Sequence, residues 1–123
     1  MKVKEFIARL KSGERVSFAD SMALIQEHYE YKPTRFTNGV GNSRVVNEAG
    51  SNEGSCRIFA FARLNRLSPN HTLALFGEYY WDHVLAHPDG TDHANIRSFM
   101  KHGWAGVAFD GEPLRRRPND LEQ

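Results

Sequence analysis

The 123 residues predict a single α+β domain, mostly helical, with a small two- or three-stranded antiparallel sheet packed on the helices. Three observations lead there. Apolar residues recur at helical spacing through most of the chain. Short β-compatible stretches interrupt it at residues 35–37, 44–47 and 104–109. The length is near the commonest domain size, and no repeat or linker divides it. Apolar residues make up 40 % and charged residues 25 %, as in a chain able to build a core.

Val3, Phe6, Ile7 and Leu10 form one apolar stripe, with Lys2, Lys4, Arg9 and Lys11 facing water. A first amphipathic helix is expected there, stopped by Ser12 and Gly13. Ser17, with Asp20 three positions on, makes a capping pair for a second helix that buries Phe18, Met22, Leu24 and Ile25. Residues 28–32 close it, and Pro33 prevents continuation. Residues 35–37 read as extended, Asn38-Gly39 as a tight turn, and residues 44–47 as a second strand. Residues 48–55, EAGSNEGS, are polar and Gly-rich and read as a loop.

A helix returns at Cys56, where Ile58, Phe59, Phe61, Ala62 and Leu64 are apolar around most of the circumference. Ser68-Pro69 starts the next helix, which carries Leu73, Leu75, Phe76, Tyr79, Tyr80, Val84 and Leu85, with Gly77 as a bend. Pro88-Asp89-Gly90 is a turn. Thr91 or Asp92 caps a further helix that takes Ile96, Phe99 and Met100 inward and ends at Gly103. Residues 104–109 supply a last strand against the 36–46 region. The domain is therefore expected over residues 1–112. Residues 113–123, with Arg115, Arg116 and Arg117, are expected to be a disordered tail with little to pack.

Sixteen basic against fifteen acidic residues leave a formal charge of +1, too little for a broad field toward nucleic acid or an anionic membrane. The three tail arginines read as a solubilising end. No apolar run approaches the roughly 20 residues of a membrane helix. One cysteine allows no internal disulfide, in keeping with a reducing compartment. The opening MKVKEFIARLKSGERVSF lacks the apolar segment and cleavage site of a secretory signal. The expectation is a cytoplasmic protein with a protein or small-molecule partner, no cofactor and no membrane contact.

Four groups could carry chemistry. Cys56 follows Gly54-Ser55 at an expected helix start, where the macrodipole favours a thiolate; free cysteine is more often a small buried residue. The loop before it offers Asn47, Glu48, Asn52, Glu53 and Ser55 to a ligand or to capping, but it lacks the spacing of a phosphate loop. His83 and His87 stand four apart on a helix, the spacing that lets two imidazoles share a metal. The sequence shows only two such ligands, so no metal site is expected, and Asp92 and His93 read as first-turn residues of the following helix. Tyr79, Tyr80, Trp81 and Trp104 read as core rather than as a pocket lining, and Arg97 as a solvated cation able to meet an anion.

Three stretches also carry a resemblance: FTNG from Phe36 with NEAGSNEGSCRIFAFARL from Asn47, TLALFGEYYWDHVL from Thr72, and HPDGTDHANIRSFMKHGWAGVAFDG from His87. Together they resemble the HopJ type III effector family over nearly all of the chain before the Arg-rich tail. The resemblance implies a bacterial protein of a family named for type III secretion, and no agreed activity comes with it. An early Glu5 and a first helix depart from the Ser-rich, unstructured type III signal, so residence in the cytoplasm is expected at least as readily as secretion. The leading expectation is binding through residues 47–56 and 87–93, with Asn47, Glu48, Asn52, Ser55, His87, Asp92, His93 and Arg97 as ligand contacts. The alternative is a resident enzyme using Cys56 or a His/Asp pair.

Overall fold

The computed structural model describes residues 1–120. Helix α1 (Val3–Lys11) buries Val3, Phe6 and Leu10, one residue per turn on one face. Glu5 lies in its first turn, and Arg9 and Lys11 lie in its last, each favourable to the helix dipole. Helix α2 (Phe18–His28) opens on the expected capping box. Ser17 Oγ accepts from the Asp20 N–H at 3.0 Å, and the Ser17 N–H donates to Asp20 Oδ2 at 3.1 Å. Its buried face is Ser21, Leu24, Ile25 and His28, with Phe18 and Met22 only partly covered. Ser21 can be buried because its hydroxyl donates to the Leu75 carbonyl at 2.7 Å.

Residues 29–32 do not extend α2. They form strand β1 (Tyr29–Tyr31), succeeded by β2 (Phe36–Asn38) and β3 (Val45–Asn47). Asn38-Gly39 is not a two-residue hairpin turn, because a longer connection with a 3-10 turn at Gly41–Ser43 joins β2 to β3. Gly39 is nonetheless required. Its φ is +97°, and an added Cβ would meet Ser98 Oγ and the Ser43 carbonyl.

Helix α3 (Glu53–Leu64) starts three residues before Cys56, and Phe59 is its hub. That ring lies 5.0 Å from Phe99, 5.5 Å from Phe76 and 6.1 Å from Phe36, centroid to centroid. Leu64, at 56 % exposed, falls outside this core. Helix α4 (Pro69–Ala74) has Ser68 as N-cap and Pro69 in its first turn, as expected. The chain then turns at Gly77 (φ +59°), where a Cβ would strike the backbone of Ser17 and Phe18. Beyond this turn the chain winds into a π-helix (Tyr79–Val84).

Helix α5 (Ala94–His102) is capped by neither Thr91 nor Asp92. Its N-cap is His93, in the left-handed region at φ +52°. Ile96 and Phe99 point inward, but Met100 is exposed, as is Leu85 before it. After a 3-10 turn at Gly103–Gly106 come β4 (Ala108–Phe109) and β5 (Leu114–Arg116).

Both sheets are antiparallel. One has the order β3-β2-β4, with Phe36 opposite Asn47 on one side and Phe109 on the other. The other pairs β1 with β5, Tyr31 opposite Leu114. This second sheet corrects the expectation of a loose tail. Pro113 and Leu114 are buried, the Lys32 N–H donates to the Pro113 carbonyl at 2.8 Å, and the Arg117 N–H donates to the His28 carbonyl at 3.0 Å. Arg116 reaches Asp120 at 2.7 Å and Arg117 holds the Gln26 carbonyl at 2.8 Å, so neither is a free solubilising charge. Residues 121–123 lie outside the described residues. No helix among the described residues is long and apolar enough to cross a membrane.

Candidate functional site

Four asparagines tie the sheet to the starts of α3 and α5. Asn47 Oδ1 accepts from Asn95 Nδ2 at 2.8 Å and from Asn52 Nδ2 at 2.7 Å. Asn95 Oδ1 accepts from Asn47 Nδ2 and from Asn38 Nδ2, each at 3.1 Å. Asn38, Asn47 and Asn95 are buried. Side-chain amides in a core usually find partners, and here they find mainly one another, with Asn38 Oδ1 left without one among the described residues. The result fixes two helix starts and the β2–β3 pair as one rigid unit.

Against this unit lies a cleft of about 480 Å³. Phe18, Phe76, Tyr79 and Ile96 supply an apolar wall, while Asn52, Ser55, His93 and Asn95 supply polar groups. Both helices that open onto it, α3 and α5, begin at a residue in the left-handed region, Asn52 at φ +50° and His93 at φ +52°. Neither start has a side-chain cap, which leaves first-turn N–H groups beside the cleft as donors. A second hollow, about 290 Å³ between α1 and α2, is rimmed by charges already set against each other. There the Met1 amine stands 3.7 Å from Glu27, and Arg9 stands 4.0 Å from Glu14.

Tyr79 of the π-helix closes one side, and Glu78 before it ties the turn to α2. The Phe18 N–H donates to Glu78 Oε1 at 2.9 Å, and this bond to the start of α2 holds the Glu78 carboxyl below its usual range. Tyr79 stacks on the His93 ring at 5.1 Å and lies 5.4 Å from that of His83. His83 Nδ1 and His93 Nε2 stand 3.0 Å apart.

Of the residues singled out in the sequence, Asn52, Ser55 and His93 line the cleft and Asn47 anchors it from beneath. Glu48 is exposed and faces Arg35 at 3.5 Å. His87 is exposed too; its contribution is a backbone carbonyl that accepts from Arg97 Nη1 at 2.9 Å. Arg97 is not a solvated cation. It also binds the Asp92 carbonyl at 2.6 Å and Asp92 Oδ1 at 2.7 Å, clasping residues 87–92. The hydrogen bond from Arg97 holds the Asp92 carboxyl below its ordinary value.

Cys56 is 1 % exposed and does not line the cleft. Its thiol donates to the Thr34 carbonyl at 3.6 Å, and burial pushes it up to about 11 despite a hydrogen bond with Tyr31. Tyr31 is itself raised by burial and by its bond to Glu53. The helix start does not win here because Cys56 sits in the second half of the first turn, facing the core.

Sequence reasoning did not assign Asn38, Asn95 and Phe18 to a site, and it placed Tyr79 in the core. A signal for the asparagines existed: β2 and β3 read Phe-Thr-Asn and Val-Val-Asn, each ending on a polar residue at an inward position. His83 was paired with His87 by helical spacing, whereas the structure pairs it with His93.

The comparisons extend this picture. A solved structure with 43 % sequence identity, described as the crystal structure of the unknown-function protein VPA0580, aligns over 95 % of each chain with a TM-score of 0.89. No curated protein gives a significant match. The family model described as HopJ type III effector protein matches residues 3–114. The chain belongs to the HopJ family.

Proposed function

We propose that this protein binds a small polar molecule with a flat or apolar part, held in the cleft between the starts of α3 and α5. The observation that carries this reading is the convergence of Ser55, His93 and two uncapped helix starts opposite Phe18, Phe76 and Tyr79. Ligand sites typically combine such an apolar wall with a few fixed polar groups. The asparagine network below supplies the rigidity that keeps ordering costs low on binding.

A titration of small polar aromatic compounds, followed by amide NMR, tests it. Shifts should gather at Asn52, Ser55, Tyr79 and Ala94 and vanish in Ala94→Trp, which fills the cleft from an exposed position. Shifts centred instead on α1 and α2, or surviving in Ala94→Trp, would overturn the reading.

The enzyme alternative gains no support from the geometry. Cys56 is buried with a raised thiol. The closest His/Asp pair among the described bonds, His28 Nδ1 and Asp120 at 2.7 Å, lies with His28 in the core and its other nitrogen 2.8 Å from the Met1 carbonyl. The family description favours a second reading, delivery by a type III apparatus. Residues 3–11 pack into the core, so delivery would require drawing α1 out of it. Export of a reporter fusion that needs the apparatus's ATPase supports delivery, and equal retention with and without that ATPase counts for residence in the cytoplasm.

A further inference from the structure

We infer that His83 and His93 form an open two-histidine site for a borderline divalent metal such as Ni(II), Cu(II) or Zn(II). Two unrelated pieces of backbone bring them together. His83 comes from the π-helix, a rare form frequently found at functional sites. His93 comes from a left-handed N-cap outside the usual range for a side-chain-bearing residue. Their ring nitrogens, Nδ1 of His83 and Nε2 of His93, are 3.0 Å apart. Two nitrogens each about 2.05 Å from one ion stand about 2.9 Å apart at a right angle and about 3.35 Å apart at the tetrahedral angle. The pair is already gathered to that separation.

In the metal-free protein one ring N–H donates to the other ring's lone pair. The ion takes the place of that proton, which passes through solvent to the outer nitrogen of the same ring, so both imidazoles bind as neutral donors with no net loss of a proton. The rings meet nitrogen to nitrogen, and admission of the ion turns the exposed His83 ring. Tyr79, packed against both imidazoles, limits how far they turn.

No third His, Cys, Asp or Glu completes a protein-only set among the described residues. The remaining coordination positions therefore go to water or to a ligand. The nearest carboxylate oxygen, Asp92 Oδ2, is 3.8 Å from His93 Nε2, while Asp92 Oδ1 is held by Arg97. It lowers the cost of the added positive charge. Imidazole donors select borderline metals over Mg²⁺ and Ca²⁺, which demand oxygen. The site shares His93 with the cleft, and metal uptake without any cleft ligand tests it separately.

The test uses the full chain and Ni(II) alone, by calorimetry and histidine NMR, in a buffer that does not coordinate metal. The expected result is one equivalent bound, and broadening of the His83 and His93 signals together. His83→Gln and His93→Asn should each weaken binding roughly tenfold or more, Asn being chosen because it tolerates the left-handed conformation. His71→Ala and His87→Ala should bind like the parent. Equal affinity in the parent, His83→Gln and His93→Asn, all shown folded by circular dichroism, overturns the inference. So does no uptake at millimolar metal.

Discussion

Asn47 and Cys56 show how little a residue's type says about its task. Asn47 ends a short strand at the edge of a polar, Gly-rich loop and reads as a ligand contact, yet it is 1 % exposed and accepts from two other amides. Replacing it with Ala leaves Asn52 Nδ2 and Asn95 Nδ2 without their acceptor. Asn47→Ala should cost about 2–4 kcal/mol in urea unfolding; a loss below about 0.5 kcal/mol would mean the network bears no weight. Cys56 has the sequence context of a nucleophile, but its thiol stays neutral up to about pH 11 in the folded chain, against an ordinary value of 9.0. The raised value fixes the sign: its contribution is complete below pH 9 and is lost as pH rises toward 11. The stability advantage of the parent over Cys56→Ala should therefore shrink across that window by on the order of 2 kcal/mol. A pH-independent difference would show that the thiol ionises freely.

At the scale of elements, local signals held wherever a few neighbouring residues decide the outcome. Ser17 with Asp20 and Ser68 with Pro69 are examples, each resting on bonds within one turn. The signals misled where a distant backbone decides. Asn38-Gly39 reads as a hairpin turn, but Gly39 is there because the Gly106 carbonyl accepts its N–H at 3.0 Å and Ser98 packs over it. Gly39→Ala should destabilise by about 1–3 kcal/mol, since positive φ and crowding both oppose a Cβ; thermal unfolding will check this, and an unchanged midpoint would contradict it. The π-helix had no legible sign, because Tyr79–Val84 has ordinary helical composition and its register is set by Gly77 and Glu78 against α2. That single shift moved the partner of His83 from His87 to His93.

For the whole molecule, composition and periodicity were enough for an α+β domain with small antiparallel sheets, because the balance of helix and strand is written in short windows. The place of residues 113–120 was not, since the bonds that hold β5 run to distant partners, β1, Gln26 and His28. Truncation after Glu112 removes buried Pro113 and Leu114, the β1 pairing and the Arg117 bonds. It should cost roughly 3–5 kcal/mol, a large share of a domain's stability. The unfolding midpoint should fall by on the order of 10 °C. A truncated chain that melts with the parent would restore the reading of these residues as a tail.

The pairing of Tyr31 with Leu114 also sets an order of events during translation. The ribosome delivers β5 more than eighty residues after β1. Until then β1 is an unpaired edge beside the apolar face of α2, the kind of surface that joins wrong partners. A chain that lacks residues 113–117 therefore keeps this edge open, and it should self-associate more readily than the full chain.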